Sequence, residues 1–200
     1  MRNDLMLNRR TIVLAMGSAL VLPNVAFALN DKEASDLIAR LVDDINKVIN
    51  SGKSESSMYG DFERIFAKYG DVPIIAQSAL GVAWRSASSG QKSAYVSAFR
   101  GYMARKYGKR FRDFIGGKIV VTGTRQVSSG FLVSSTVQLS GSSPFSVEWQ
   151  VSDKSGADKM FNMFIEGISL LATERTEISA MLDKRNGSLD QLIADLKTTQ

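Results

Sequence analysis

The chain contains no histidine and no cysteine. The first absence removes the usual general base, the triads built on it and the commonest metal ligand. The second removes thiol nucleophiles, thiolate metal sites and disulfides. No glycine run has phosphate-loop spacing, and no Asp/Glu run has calcium-loop spacing, so the sequence implies neither cofactor nor metal. Carboxylate chemistry is what remains of the enzyme repertoire. The one long apolar run is also too short to favour a membrane-spanning helix, which needs about 20 residues.

That run explains the first 28 residues. Arg9 and Arg10 precede TIVLAMGSALVL, and Ala26-Phe27-Ala28 follows. A basic start, a short apolar core and a small-residue site form a secretory signal peptide, cut after Ala28. The residues after the paired arginines fit the twin-arginine pattern loosely, which favours the general secretory route. With no lipobox cysteine, the mature chain is expected to be soluble. Arg2, Arg9 and Arg10 against Asp4 give the leader +2 of the chain's +5, leaving +3 for residues 29–200. An exported chain without disulfides must be held together by its core. Basic residues gather in RKYGKRFR, Arg105 to Arg112, as either a solvated helix face or a contact for an anionic surface.

Residues 29–200 read as one domain. Apolar positions Leu37, Ile38, Leu41, Val42, Ile45, Val48 and Ile49 predict a one-faced helix, with Asn30 and Glu33 at capping-box spacing. A second helix runs over Glu55–Lys68. A third starts at Asp71, with Pro73 in its first turn, and continues to Trp84. The longest opens at Ser88 with Gln91 three residues on. Tyr95, Phe99, Tyr102, Met103 and Tyr107 form its stripe. The period then changes from 3.6 to 2. KIVVTGTRQV, FLVSSTVQL, FSVEWQV and MFNMFIE are separated by short turns. Four such runs predict an antiparallel meander with one apolar face. The helical period returns after Gly167, and Ser188 with Gln191 repeats the capping-box spacing before a last short helix. The expected fold is α+β: a curved four-stranded antiparallel sheet with helices packed on one face. Phe131, Val133, Val137, Phe145, Val147, Trp149, Phe161, Met163 and Ile165 share the inward face by strand periodicity. The long helix is expected to face them with Phe99, Tyr102 and Met103. Such an interior is either a packed core or an apolar cavity, and methionine suits the latter.

Glu166, in MFIEGISLLATER, is the strand acid with the least obvious environment. It is either a general acid in a pocket, with Asn162 on the floor, or a structural acceptor. The structural reading is favoured: backbone amides at the next helix start, or Arg175, would be its partner.

ALGVAWRSASSGQKSAYVSAFRGYMARKY resembles the LGxxWRxAxxxQxxxFxxxFxxxLxxxY segment of the MlaC family, and MFIEGISLLATERTEI is similar to its xVxxEGVSLxxxYRxxF stretch. GSLDQLIADL looks like its tail. The likeness spans Gly70 to Leu196. Trp84, Arg85, Gln91, Phe99, Tyr107, Glu166, Gly167, Ser169 and Arg175 match. Asn162, Asp158 and Val82 stand where the family commonly has aspartate, tryptophan and a basic residue. The resemblance implies a cone-like, NTF2/cystatin-like domain and a monomeric periplasmic carrier, not an enzyme. Such a carrier holds phospholipid tails in an apolar cavity. It shuttles between an outer-membrane lipoprotein complex and an inner-membrane ABC transporter, in the system linked to outer-membrane lipid asymmetry and toluene tolerance. Trp84, Arg85, Gln91, Glu166, Gly167 and Arg175 then mark the structural motif.

Overall fold

Helix α1 (Asp31–Ile49) starts where Asn30 and Glu33 exchange side chain-to-backbone hydrogen bonds, each 3.0 Å. The computed structural model describes residues 29–109, 114–139 and 141–199, so the leader and its cleavage point lie outside the described residues. α2 (Glu55–Tyr69) follows without a side-chain cap. α3 (Val72–Leu80) is capped by Asp71 and ends at Gly81, whose φ of 64° a continuing helix cannot use. The predicted third helix is therefore two. Trp84 lies in a separate short helix, α4 (Ala83–Ser86). α5 (Ser89–Gly108) opens on the full Ser88–Gln91 capping box. At α7 (Leu189–Thr198) only half of the predicted box forms: Ser188 accepts from Gln191 at 3.5 Å. Before it, α6 (Leu170–Asp183) is capped by Ser169.

The sheet has five antiparallel strands, not four, in the order β1-β2-β3-β4-β5. They are β1 (Lys118–Val127), β2 (Gly130–Gln138), β3 (Phe145–Ser152), β4 (Lys159–Ile165) and β5 (Ile168–Ser169). The fifth is too short for a periodic signal. It exists because Glu166 and Gly167 both take positive φ, 50° and 77°, the requirement of a two-residue type I′ hairpin. Ile165 then pairs with Ile168 and Phe164 with Ser169. The sheet is open, with β1 and β5 at its edges.

Two bulges break the period of two. In β1, Thr122 is unpaired between Val121 and Gly123. In β4, Gln150 faces Asn162 while Val151 faces Met160, so Phe161 is the extra residue. A one-residue slip exchanges faces. Met160 consequently takes the inward place predicted for Phe161, and Phe161 packs among the helices.

The interior is divided. One core joins the sheet's inner face to α1 and α2, around Leu37, Ile38, Leu41, Phe62, Val133, Val147 and Trp149. The Trp149 indole N–H is satisfied there by Ser135 Oγ at 2.9 Å, and Ser135 donates to the Val147 carbonyl at 3.0 Å. A second core packs α3, α5, α6 and α7 around Tyr95, Phe99, Tyr102, Ile178, Leu192 and Leu196. The helix that faces the sheet's inner side is α1, so α5 belongs to the other layer. Among the described residues no helix is long and apolar enough to cross a membrane.

Candidate ligand cavity

Where the two cores meet, β4 leaves a gap. Phe66 of α2, Ile75 of α3, Met103 of α5, Leu170, Leu171 and Glu174 of α6, and Met160–Met163 of β4 enclose an apolar cavity of about 40 Å3. That volume holds a water-sized group. Its walls, however, are unusually adaptable. Three thioethers and two phenyl rings line it, and methionine repacks at little cost. Phe161 also borders an open surface groove of about 270 Å3 formed with Asp71, Ile74, Ser129, Ser152, Lys154 and Ser155. The bulge thus puts one aromatic ring between an interior space and a surface one.

Of the twelve predicted cavity residues, Met103, Phe161 and Met163 line this space. Phe131, Val133, Val137, Val147 and Trp149 are buried in the sheet–α1 core, with Phe145 and Ile165 packed against it. Phe99 and Tyr102 are buried in the helical core. The structure does not bring Phe99 and Tyr102 opposite the inward strand residues.

Asn162 is committed to structure. Its Oδ1 accepts the Leu171 amide at 3.1 Å and the Met163 amide at 2.8 Å, and so ties β4 to the start of α6. Glu166 is exposed and is not a wall residue. It does accept a backbone amide, but from Ser146 of β3 rather than from α6, and the Glu166 amide returns a bond to the Ser146 carbonyl at 3.1 Å. The Ser146 amide holds the carboxyl below its usual range. Arg175 does not meet it; its guanidinium lies over Gly81, 3.3 Å from where a Cβ would stand. Of the remaining motif residues, Trp84 and Gln91 make contacts between helices and neighbouring side chains. Trp84 meets Tyr95 edge-on at 6.5 Å and Lys92 at 5.5 Å. The Gln91 amide reaches Asp190 at 3.1 Å, linking the starts of α5 and α7. Arg85 is exposed.

No sequence pattern marks the charges beside the cavity. Glu174 is fully buried. Its Oε1 accepts from Lys106 Nζ at 2.7 Å and from the Tyr107 hydroxyl; its Oε2 and the buried Tyr95 hydroxyl have no hydrogen-bond partner among the described residues. Lys106 also meets Glu177, which accepts from Tyr102 at 2.5 Å. Burial, then the neighbouring glutamates, push the phenols of Tyr102 and Tyr107 far above their usual range. Burial raises Glu177 too, but its bonds from Lys106 and Tyr102 prevail and its carboxyl titrates below the ordinary value. The predicted basic helix face is thus partly turned inward: Lys106 joins this network, and Arg105 donates to the Leu196 and Thr199 carbonyls at the end of α7. A helix C-terminus favours such a cation. Arg110 and Arg112 lie outside the described residues.

An α+β frame with a small, methionine-rich apolar cavity between a sheet strand and a helical layer is suited to taking up an apolar group, and Asn162 and Glu166 are both engaged in the scaffold. The family model described as MlaC protein matches residues 39–198, and the chain belongs to that family. Among solved structures, a phospholipid-binding protein from Ralstonia solanacearum, in complex with a phospholipid, shares the fold. Its TM-score is 0.69 at 20% identity, with 82% of this chain and 98% of that one covered.

Proposed function

We propose that this protein is a periplasmic phospholipid carrier that encloses acyl tails in the cavity bounded by β4, α2, α3, α5 and α6. Its leader is cut after Ala28, and the mature monomer passes lipid between an outer-membrane lipoprotein complex and an inner-membrane ABC transporter. The observation that carries the reading is the cavity lined by Met103, Met160, Met163, Phe66 and Phe161, in a chain of the MlaC family. Two acyl chains hold roughly 30 methylenes, and exposing them to water costs on the order of 20 kcal/mol. Carriage across an aqueous space therefore requires enclosure. A space of about 40 Å3 must widen to receive tails, and flexible thioethers permit that without breaking hydrogen bonds. Phe161, shared with the surface groove, is the natural point of entry. An enzyme using Glu166 and Asn162 is disfavoured, because one stabilises a turn and the other ties β4 to the start of α6.

The test is organic extraction of protein purified from its exporting cell, followed by mass spectrometry. Phospholipid at close to one or two molecules per chain is expected. Protein that carries no lipid and takes none from vesicles would overturn the reading.

A further inference from the structure

Leu29, the residue after the proposed cleavage point, is held by both its side chain and its backbone. Leu29 is only 7% exposed, and its side chain belongs to the sheet–α1 core. Its backbone nitrogen donates to Asp153 Oδ2 at 3.2 Å, and the next nitrogen, that of Asn30, donates to Glu33 Oε2 at 3.0 Å. Each of the first two backbone nitrogens after Ala28 is therefore bound by a carboxylate. Asp158, after the same turn between β3 and β4, also belongs to this corner. Although Asp158 is exposed, its carboxyl titrates above the ordinary value through partial desolvation first and then the charges of Glu33 and Asp153, with Arg40 opposing. Acids crowd here beyond what one peptide N–H requires.

We propose that this corner is a docking site for the α-ammonium group that cleavage after Ala28 creates at Leu29. The inference rests on the processing step proposed above. Before cleavage, the Leu29 nitrogen offers one neutral N–H. Afterwards it offers three N–H donors and a full charge, and charge-assisted hydrogen bonds are about twice as strong. The buried leucine side chain fixes where that charge stands. One effect opposes it: the N-terminus of α1 carries roughly half a positive charge. Asp153 and Glu33 accept directly from the first two nitrogens and Asp31 adds a carboxylate in the first turn, against Arg40 and the neighbouring Lys32 and Lys154. The mature chain thus acquires an ionic contact between its first residue and the β3–β4 turn that the precursor lacks.

An ammonium held by carboxylates has a raised pKa. Its contribution to stability is complete below the ordinary amine value, about 7.7–8.0, and is lost as pH rises through the folded value. The experiment uses mature protein from the exporting cell. Intact mass identifies its first residue, and the unmodified α-amine, 15N-labelled, is titrated by NMR. A pKa about one unit or more above the ordinary amine is expected, falling most of the way back in Asp153→Asn. A chain with one extra residue before Leu29 should melt about 2–4 °C lower at pH 7, with the gap closing by about pH 10. An ordinary amine pKa in a chain that begins at Leu29, or one indifferent to Asp153→Asn, overturns the docking site alone. A mature chain that begins elsewhere overturns the processing step and the docking with it, while lipid extraction still decides the carrier reading.

Discussion

Glu166 shows how one side chain can look catalytic and be structural. Its φ of 50° and the 77° of Gly167 make the turn on which β5 depends. Its carboxylate then fastens that turn to Ser146 of β3. Because the folded carboxyl titrates below its ordinary value of 4.5, its contribution is full above that value and fades as pH falls through the folded one. Glu166→Gln should lower the Tm at pH 7, with the difference from wild type shrinking in acid and lipid content unchanged. Thermal melts across pH, beside extracted lipid per chain, check this; an unaltered Tm with lost ligand would restore a functional role. Gly167→Ala should be the harsher change. Open space surrounds a Cβ there, but the left-handed backbone costs a non-glycine residue about 1–2 kcal/mol.

At the scale of elements, α5 and α6 are cross-linked by polar side chains: Lys106 meets Glu174 and Glu177, and Tyr102 and Tyr107 donate to them. Removing one partner strands a buried carboxylate. Lys106→Met should therefore cost about 3–5 kcal/mol in urea unfolding, and adding Glu174→Gln should recover much of it. Recovery of nothing would show that Lys106 acts through packing alone. This network was not legible in the sequence, because Lys106 sits in a basic run and Glu174 in a polar helix stretch; only tertiary packing buries them. The capping boxes at Asn30 and Ser88 were legible, since both partners lie within four residues. So were the first three strands. The fourth was placed correctly but faced wrongly at Phe161, because a bulge leaves no mark on an alternating pattern. The partner of the sheet was also out of reach. Periodicity gives each helix an apolar side and does not say whether α1 or α5 covers the strands.

For the whole molecule, two interiors mean that similar substitutions should have different effects. Leu171→Trp reaches into the cavity and should reduce lipid per chain while the fold persists. Val147→Trp overpacks the core beneath α1 and should cost about 1–3 kcal/mol, lowering the Tm with no selective loss of lipid. Mass spectrometry and melting on the same samples separate the two; equal lipid loss at equal Tm would mean that the tails lie against the sheet after all. The open sheet has one more consequence. Its ten-residue β1 edge carries backbone amides and carbonyls that no strand among the described residues pairs, a template on which a second molecule could add a strand. Lys118 and Arg125 place charge along that edge, and the Thr122 bulge twists its middle out of register. Those are the devices by which sheets resist aggregation. In a protein with no cysteine to lock its fold, the irregularity in β1 is expected to disfavour the addition of a second copy along that edge.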